Sequence, residues 1–224
     1  FLFTIRVAST NPTLTDLLYS IIDMRLDDGK GAVTQKSIFL YNNNSLNVTA
    51  AKHINDKDFW VITTQGNTKK LITYLINENG INPSPNVSLL AANFGSGGKI
   101  RISPNNKKLA VSGVLGEASG NFIFDFDNSS GIVSNPLELP EPVGGSGYFD
   151  FSPDSEKIYW LFGSANAPLQ VAQYQIKGKR TGQEILRTKY NISVSSNTNL
   201  FDMRVAPDGK LYVVNGRFLD VIEN

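Results

Sequence analysis

Phe149-Asp-Phe-Ser-Pro-Asp-Ser-Glu-Lys-Ile-Tyr159 is one of three copies of a short turn that is followed by a strand. The other two copies are Ile100-Arg-Ile-Ser-Pro-Asn-Asn-Lys-Lys-Leu-Ala110 and Met203-Arg-Val-Ala-Pro-Asp-Gly-Lys-Leu-Tyr212. Their prolines, Pro104, Pro153 and Pro207, lie 49 and 54 residues apart. Repeats of about 40–50 residues, each made of short strands, are typical of propeller blades. The sequence therefore predicts an all-β propeller.

The residues around each proline support this fold. Apolar residues alternate with polar ones before the turn, which is the period of a half-buried strand. Proline sets φ near the value that the first corner of a turn requires, and Asn or Asp caps the backbone groups that follow. We predict that the alternating apolar residues are buried between blades: Ile100, Ile102, Phe149, Phe151, Met203 and Val205.

Working outward from these turns, we predict blades of four antiparallel strands, similar to WD40 and YVTN repeats. The blade segments are 1–40, 46–90, 99–139, 148–189 and 201–224, of which the first and last are partial, so that the ring is incomplete. Residues 17–24 have apolar residues at helical spacing, but their β-branched pair and the blade rhythm favour a strand. Residues 183–189 are assigned to the fourth strand of the fourth blade. The strand-like sequence at both ends leads us to expect a piece of a longer polypeptide.

Composition excludes several classes of partner. The 224 residues carry 21 Lys and Arg against 20 Asp and Glu, which leaves a formal charge of +1 and no basic face for nucleic acid. Cysteine is absent, so neither a disulfide nor a thiolate is available. No apolar stretch approaches the roughly 20 residues of a membrane helix. We predict no nucleic-acid partner and no membrane insertion.

Catalytic and metal motifs are incomplete in this sequence. His53 is the only histidine, and no Gly-x-Ser-x-Gly elbow accompanies it, so we interpret it as structural. The run from Asp125 to Gly131 resembles the start of a calcium loop, but its glycine is one place late and the twelfth position is Pro136. Glycine-rich stretches at 94–98 and 143–147 enter strands, whereas a phosphate loop enters a helix. We predict no catalytic residue, no metal and no cofactor.

Polar residues on the first strand of each blade are the candidates to line the central channel or contact a ligand. They are Lys52, Arg101, Asp150 and Arg204. The alternative is that these four residues only form salt bridges between blades. We expect a protein or glycan partner to bind the Gly-, Ser- and Asn-rich loops, because variable loops carry recognition. These loops are 91–98, 112–120, 141–147, 163–169 and 195–199.

Four stretches give the chain a resemblance to a known family. They are Leu18-Tyr-Ser-Ile-Ile-Asp-Met-Arg-Leu-Asp-Asp-Gly-Lys-Gly-Ala-Val-Thr34, Leu46-Asn-Val-Thr-Ala-Ala-Lys-His-Ile-Asn55 with Asp58-Phe-Trp-Val-Ile-Thr63, Asp125-Phe-Asp-Asn-Ser-Ser-Gly-Ile-Val-Ser-Asn-Pro-Leu137, and Gly147-Tyr-Phe-Asp-Phe-Ser-Pro-Asp154. The chain resembles the propeller region of exported Bacteroidetes surface proteins that carry a gliding-motility type C-terminal sorting domain and use type IX secretion. This resemblance implies a secreted or cell-surface location and a binding or adhesive role, with contact to the secretion or surface machinery.

Two functions follow from these observations. The first is a non-catalytic interaction module of an exported surface protein, which recognises a protein or glycan or acts as a scaffold, and which is not an enzyme. The alternative is a lactonase-like propeller hydrolase. Such a hydrolase requires carboxylates or histidines that converge at the mouth of the channel.

Overall fold

The computed structural model describes residues 1–7, 15–66, 68–94, 97–114, 120–139, 147–162, 170–192, 200–215 and 218–223. This part of the chain forms nineteen strands in five antiparallel sheets. A three-residue 3₁₀ helix (Asp27–Gly29) and a five-residue α-helix are the helical elements among the described residues.

The sheets follow one another along the chain. The first contains β1 (Leu2–Val7), β2 (Thr15–Asp23) and β3 (Ala32–Asn42). The second contains β4 (Asn44–Lys52), β5 (Phe59–Gln65), β6 (Thr68–Asn77), β7 (Gly80–Ile81) and β8 (Asn86–Phe94). The third contains β9 (Gly97–Ile102), β10 (Lys108–Val114), β11 (Asn121–Asp127) and β12 (Ile132–Leu139).

The remaining two sheets complete the described fold. The fourth contains β13 (Phe149–Phe151), β14 (Lys157–Phe162), β15 (Gln170–Gln175) and β16 (Tyr190–Ile192), with α1 (Gly182–Leu186) inserted before β16. The fifth contains β17 (Leu200–Val205), β18 (Leu211–Asn215) and β19 (Phe218–Ile222).

Each sheet is a blade, and the first strands of the second to fifth blades lie side by side. Strand β4 contacts β9, β9 contacts β13, and β13 contacts β17. The other strands of each sheet pair in sequence order away from this inner row, except that β8 of the second sheet pairs with β6. The prediction of an all-β propeller is therefore confirmed. The first and fifth blades do not pack against each other as neighbouring blades do, so the described ring is open.

Apolar cores fill the space between successive blades. Trp60 and Ile62 of the second blade pack with Ile100 and Leu109 of the third. The third and fourth blades share a core that includes Phe149 and Phe151, both with no exposed surface, and Phe149 stacks on Trp160 at 4.3 Å between ring centroids. Both faces of a blade are covered by its neighbours in this way. Four of the six predicted core residues are buried, namely Ile100, Phe149, Phe151 and Met203. Ile102 and Val205 are half-buried.

The repeated turns close through one shared hydrogen bond. The backbone N–H of Ser103 donates to the carbonyl of Lys108 at 2.8 Å, and that of Ser152 donates to Lys157 at 3.0 Å. In the second blade the N–H of His53 donates to Asp58 at 2.9 Å, although this turn contains no proline. The shared bond gives all three blades the same register, counted from the turn.

The strand predicted for residues 17–24 is confirmed, because β2 occupies Thr15–Asp23. The strand predicted for residues 183–189 is wrong, since Gly182–Leu186 is helical. Thr181 is the N-cap of this helix, because its hydroxyl accepts a hydrogen bond from the backbone N–H of Glu184. Ile185 points into the core between blades and has no exposed surface. Burial of this side chain, the cap and the helix-forming residues around it favour a helix where the blade rhythm predicted a strand.

Candidate functional site

The inner strands of the third, fourth and fifth blades each carry one charged residue at the same register position. These residues are Arg101, Asp150 and Arg204, each one place after an apolar residue that is buried against the preceding blade. Because side chains alternate between the two faces of a strand, all three point away from that preceding blade. The structure thus brings three of the four sequence-predicted residues into one region.

Arg101 is the most deeply placed cation of this region, with 11% of its side chain exposed. Its Nη1 donates to the backbone carbonyl of Ile100 at 2.9 Å, and its Nη2 lies 4.0 Å from Oδ1 of Asp202. Its Nε is buried without a hydrogen-bond partner among the described residues. Burial lowers the pKa of Arg101, and the charge of Arg204 lowers it further. This Nε–H is therefore a buried donor without a hydrogen bond among the described residues, which is unusual for a buried polar group.

Asp150 is held by two backbone donors, one on its own strand and one in the fifth blade. Its Oδ1 accepts from the N–H of Phe151 at 2.9 Å, and its Oδ2 accepts from the N–H of Val205 in the fifth blade at 3.0 Å. Burial raises the pKa of the Asp150 carboxyl, against the opposing effect of these two donors and of Arg101 and Arg204. Each oxygen retains a lone pair, so the carboxylate can still accept a proton.

Asp202 joins the two arginines and was not identified from the sequence. Its Oδ1 lies 4.0 Å from Arg101 Nη2, and its Oδ2 lies 3.9 Å from Arg204 Nε. Arg101 belongs to the third blade and Asp202 to the fifth, so the contact crosses the inner strand of the fourth blade. Side chains that meet in this way face the common centre of the ring. We call Arg101, Asp150, Asp202 and Arg204 the central polar cluster.

A second layer of side chains lies two residues before the first one on each strand. Lys99 and Tyr148 occupy the positions that correspond to Asp202, and the ammonium group of Lys99 lies 4.9 Å from the centre of the Tyr148 ring. This distance is within the range of a cation–π contact. Sequence reasoning missed Asp202, Lys99 and Tyr148 because it followed one position per strand. The period of two, applied toward the start of each strand, is the signal that identifies them.

Lys52 does not join the central polar cluster. It forms an exposed pair with Asp56, with 3.4 Å between Nζ and Oδ1. Counted from the shared turn hydrogen bond, the position that matches Arg101 is Ala51, and Lys52 matches Ile102. A register difference of one residue moves a side chain to the opposite face of a strand. Ala51 packs in the core with 2% of its surface exposed.

The remaining sequence motifs have structural surroundings. Nε2 of His53 lies 3.1 Å from the carbonyl oxygen of Ser129, and its ring lies 5.8 Å from that of Trp60. Asp127 accepts hydrogen bonds from both the hydroxyl and the backbone N–H of Ser129, and from the hydroxyl of Ser130. These bonds lower the pKa of Asp127 to about 2. The acidic run is therefore an Asx-type turn at the end of a strand.

The loops predicted to bind a partner lie largely outside the described residues. This applies to most of 112–120 and 141–147, to all of 163–169 and 195–199, and to the side chains of 91–98. Their role stays a prediction. Across the ranges that the structure does describe, the two helical segments are too short to cross a membrane.

Comparison with solved structures supports the propeller fold. A putative 6-phosphogluconolactonase from Bacteroides uniformis superposes with a TM-score of 0.58 at 12% identity, over 98% of this chain and 62% of that one. The periplasmic gluconolactonase of Pseudomonas aeruginosa gives 0.57 at 12%, over 95% and 61%. Hydrazine synthase of Kuenenia stuttgartiensis gives 0.50 at 12%, over 98% and 70%. No family model matches the chain, and no curated protein matches its sequence significantly.

These comparisons correct the functional prediction. Several of the similar structures are named lactonases, which contradicts the predicted non-catalytic module and the prediction that the protein is not an enzyme. The physical reason is that catalytic motifs such as the nucleophile elbow are contiguous in sequence, whereas the centre of a propeller is formed by strands that are about 50 residues apart. At this identity the likeness shows the fold alone. The chain spans about three-fifths of the length of the two lactonases compared.

Proposed function

We propose that the protein is a lactonase-like hydrolase that opens the ring of a sugar lactone at the central polar cluster. The observation that carries this proposal is the convergence of two carboxylates and two guanidinium groups from three blades, in a fold shared with gluconolactonases. A lactonase-like hydrolase requires carboxylates or histidines that converge at the channel, and Asp150 and Asp202 are two such carboxylates.

Asp150 is the general base of the proposed reaction. Its pKa is raised by burial, which moves a carboxylate toward the range where it removes a proton from water at neutral pH. The two backbone donors fix the orientation of the carboxylate. Water attacks the carbonyl carbon of the lactone and gives its proton to Asp150.

Arg101 and Arg204 stabilise the negative charge that forms on the carbonyl oxygen. The exposed guanidinium of Arg204 is available to donate hydrogen bonds to an incoming ligand, and the mostly buried Arg101 adds a second positive charge nearby. Collapse of the tetrahedral intermediate breaks the bond between the carbonyl carbon and the ring oxygen. The proton held by Asp150 then moves to that oxygen, and the product is the open hydroxy acid, whose carboxyl group ionises.

Asp202 is a positioning residue in this scheme. It lies about equally far from both arginines, at 4.0 and 3.9 Å, so its charge holds the two guanidinium groups beside the same space. Lys99 adds a third cation, in the layer that it shares with Tyr148. Three cations against two carboxylates favour a substrate that carries a negative charge.

The test is hydrolysis of glucono-1,5-lactone and of its 6-phosphate, followed by acid release above the spontaneous rate. We expect Asp150→Asn to lower kcat/KM by roughly 10²–10⁴, the usual contribution of a positioned acid–base residue. Lys52→Gln is the matched control, because Lys52 was a candidate of the same class and lies outside the cluster; its rate stays within about twofold. Absence of turnover by the unmodified protein, or an unchanged rate in the folded Asp150→Asn variant, contradicts the proposal.

We also propose, from the sequence resemblance, a secreted or cell-surface location. The four quoted stretches support this location. Fractionation of the source cells tests it: the protein is expected in the medium or among surface proteins, and recovery in the cytoplasmic fraction alone contradicts it. Lactone hydrolysis and location are independent, so that either result leaves the other standing.

A further inference from the structure

Two clefts lie side by side at the turn end of the third and fourth blades, away from the central polar cluster. The first has a volume of about 480 Å³ and the second about 470 Å³. Both are lined by the same three cations, Lys108, Lys179 and Arg180. Their volumes fall within the range of small-molecule sites. Because they share one cationic wall, we treat them as one feature, the turn-side groove.

The turn-side groove has an excess of positive charge. Its cations are Lys107, Lys108, Lys177, Lys179 and Arg180, and its carboxylates are Asp125, Asp154 and Glu156. Five cations against three carboxylates leave a formal charge of +2, although the whole chain carries only +1. The rest of the chain therefore carries a formal charge of −1.

The carboxylates of the groove are already engaged. Asp125 pairs with Lys108 at 2.5 Å and accepts from the amide of Asn135 at 2.7 Å. Glu156 pairs with Lys177. Asp154 accepts from the hydroxyl of Ser152 and from the backbone N–H of Glu156, and these bonds lower its pKa. All three acidic side chains of the groove therefore already have partners.

Three of the cations have no such partner. Within the described residues, the side chains of Lys107, Lys179 and Arg180 form no ion pair. They converge on the groove from two directions, Lys107 from the turn of the third blade and the other two from the segment before α1. Glu184 offsets part of the charge of Lys179 and Arg180, since the backbone N–H of Arg180 and the charges of both residues lower its pKa, but no described carboxylate forms an ion pair with the three cations. Like charges that lie near one another repel, and an anion between them relieves this repulsion.

The segment that carries Lys179 and Arg180 is firmly anchored. Glu184 accepts from the backbone N–H of Arg180 at 2.8 Å and donates its own N–H to the Thr181 hydroxyl at 3.2 Å. Gly182 packs so closely on the third blade that a Cβ would lie 1.6 Å from the carbonyl oxygen of Glu138. Ile185 is fully buried. The insertion that replaces the expected strand thus fixes the second wall of the groove.

We propose that the turn-side groove binds a small organic anion with two phosphate or sulfate groups, one in each cleft. The planar fork of Arg180 suits the oxygens of such a group, and lysine acts on them as a point charge. Lys107 lines only the first cleft, whereas the three shared cations reach both. A ligand with two anionic groups can contact all three unpaired cations, whereas a ligand with one anionic group contacts only some of them.

The test is calorimetric titration with fructose 1,6-bisphosphate, with fructose 6-phosphate as the singly phosphorylated control at the same ionic strength. We expect saturable binding of the bisphosphate that is at least about tenfold tighter than that of the monophosphate. The double variant Lys179→Gln/Arg180→Gln weakens bisphosphate binding by about tenfold or more, because it removes two charge-assisted contacts. The control Lys36→Gln/Lys69→Gln removes the same charge from exposed strands of the first and second blades and changes binding by less than about twofold.

Three results overturn the proposal. One is absence of saturable bisphosphate binding to the unmodified protein. Another is equal weakening in the groove and control variants, which assigns binding to general surface charge. The third is monophosphate binding as tight as bisphosphate binding, which removes the argument for two groups. Neither double variant touches the central polar cluster, so lactone hydrolysis reports separately on that site and on correct folding.

Discussion

The second and fourth blades close their first turn through the same backbone hydrogen bond but present different residues at the centre of the ring. Where the fourth blade has Asp150, the second has Ala51, which is buried in an apolar core. At the next position the fourth blade buries Phe151, and the second exposes Lys52. The backbone of the turn is thus repeated, whereas the side chains on the inner strand differ between blades. The candidate site is formed by these variable side chains.

The largest expected effect tests whether the two blades truly match in register. Phe151→Ala removes a fully buried ring and lowers the free energy of unfolding by about 3–5 kcal/mol. Lys52→Ala, at the matching position of the second blade, changes it by less than about 1 kcal/mol, because its ion pair is exposed. Chemical denaturation measures both. Similar losses in the two variants would show that the register comparison is wrong.

A smaller effect comes from exchanging the residues between blades. Ala51→Arg forces a long charged side chain into a packed core and destabilises the protein by about 1–3 kcal/mol. Arg101→Ala changes stability by less than about 1 kcal/mol, since the arginine is poorly paired in its buried position, but it lowers lactone hydrolysis. Denaturation and kcat/KM separate the two outcomes. A stable, active Ala51→Arg variant would mean that the second blade also tolerates a polar inner strand.

The smallest effect is the pH dependence that Asp150 contributes. Burial raises its pKa above the unfolded value, so its stabilising contribution is complete below the unfolded pKa and is lost as pH rises through the folded pKa. Melting temperatures of the unmodified protein and of Asp150→Asn, measured between pH 3 and 8, isolate this contribution. We expect the unmodified protein to lose stability relative to the variant as pH rises from the acidic end. A relative gain with rising pH would show that the two backbone donors and the arginines outweigh burial.

Much of the fold could be predicted because its determinants are local. The Ser-Pro turns, with Ser152 accepting from the backbone N–H of Lys157, specify their own hydrogen bonds. The alternation around Phe149 and Phe151 specifies which face is buried. The helix at Gly182–Leu186 also has a local determinant, because Thr181 and Glu184 form its N-terminal cap. The spacing of the blades favoured a strand at this position instead.

The candidate site depended on contacts that no local pattern contains. The sequence identifies one polar residue on each inner strand and does not distinguish Lys52 from Arg101, Asp150 and Arg204. Only the three-dimensional arrangement separates Lys52 from the others, places Asp202 between two arginines, and leaves the Nε of Arg101 without a partner. The turn-side groove likewise depends on tertiary structure, because its opposite walls carry Lys107 and Arg180, which are distant in sequence.

The sequence by itself determined the strands, the turns and the stacking of blades, because a period of two and a proline turn act over a few residues. Tertiary structure decided which charged side chains meet, because that depends on the register of each inner strand and on contacts between blades that are not adjacent. Asp202 and Arg101 lie about 100 residues apart in the chain and 4.0 Å apart in space. The electrostatics of the central polar cluster arise only when the inner strands of the third, fourth and fifth blades lie side by side.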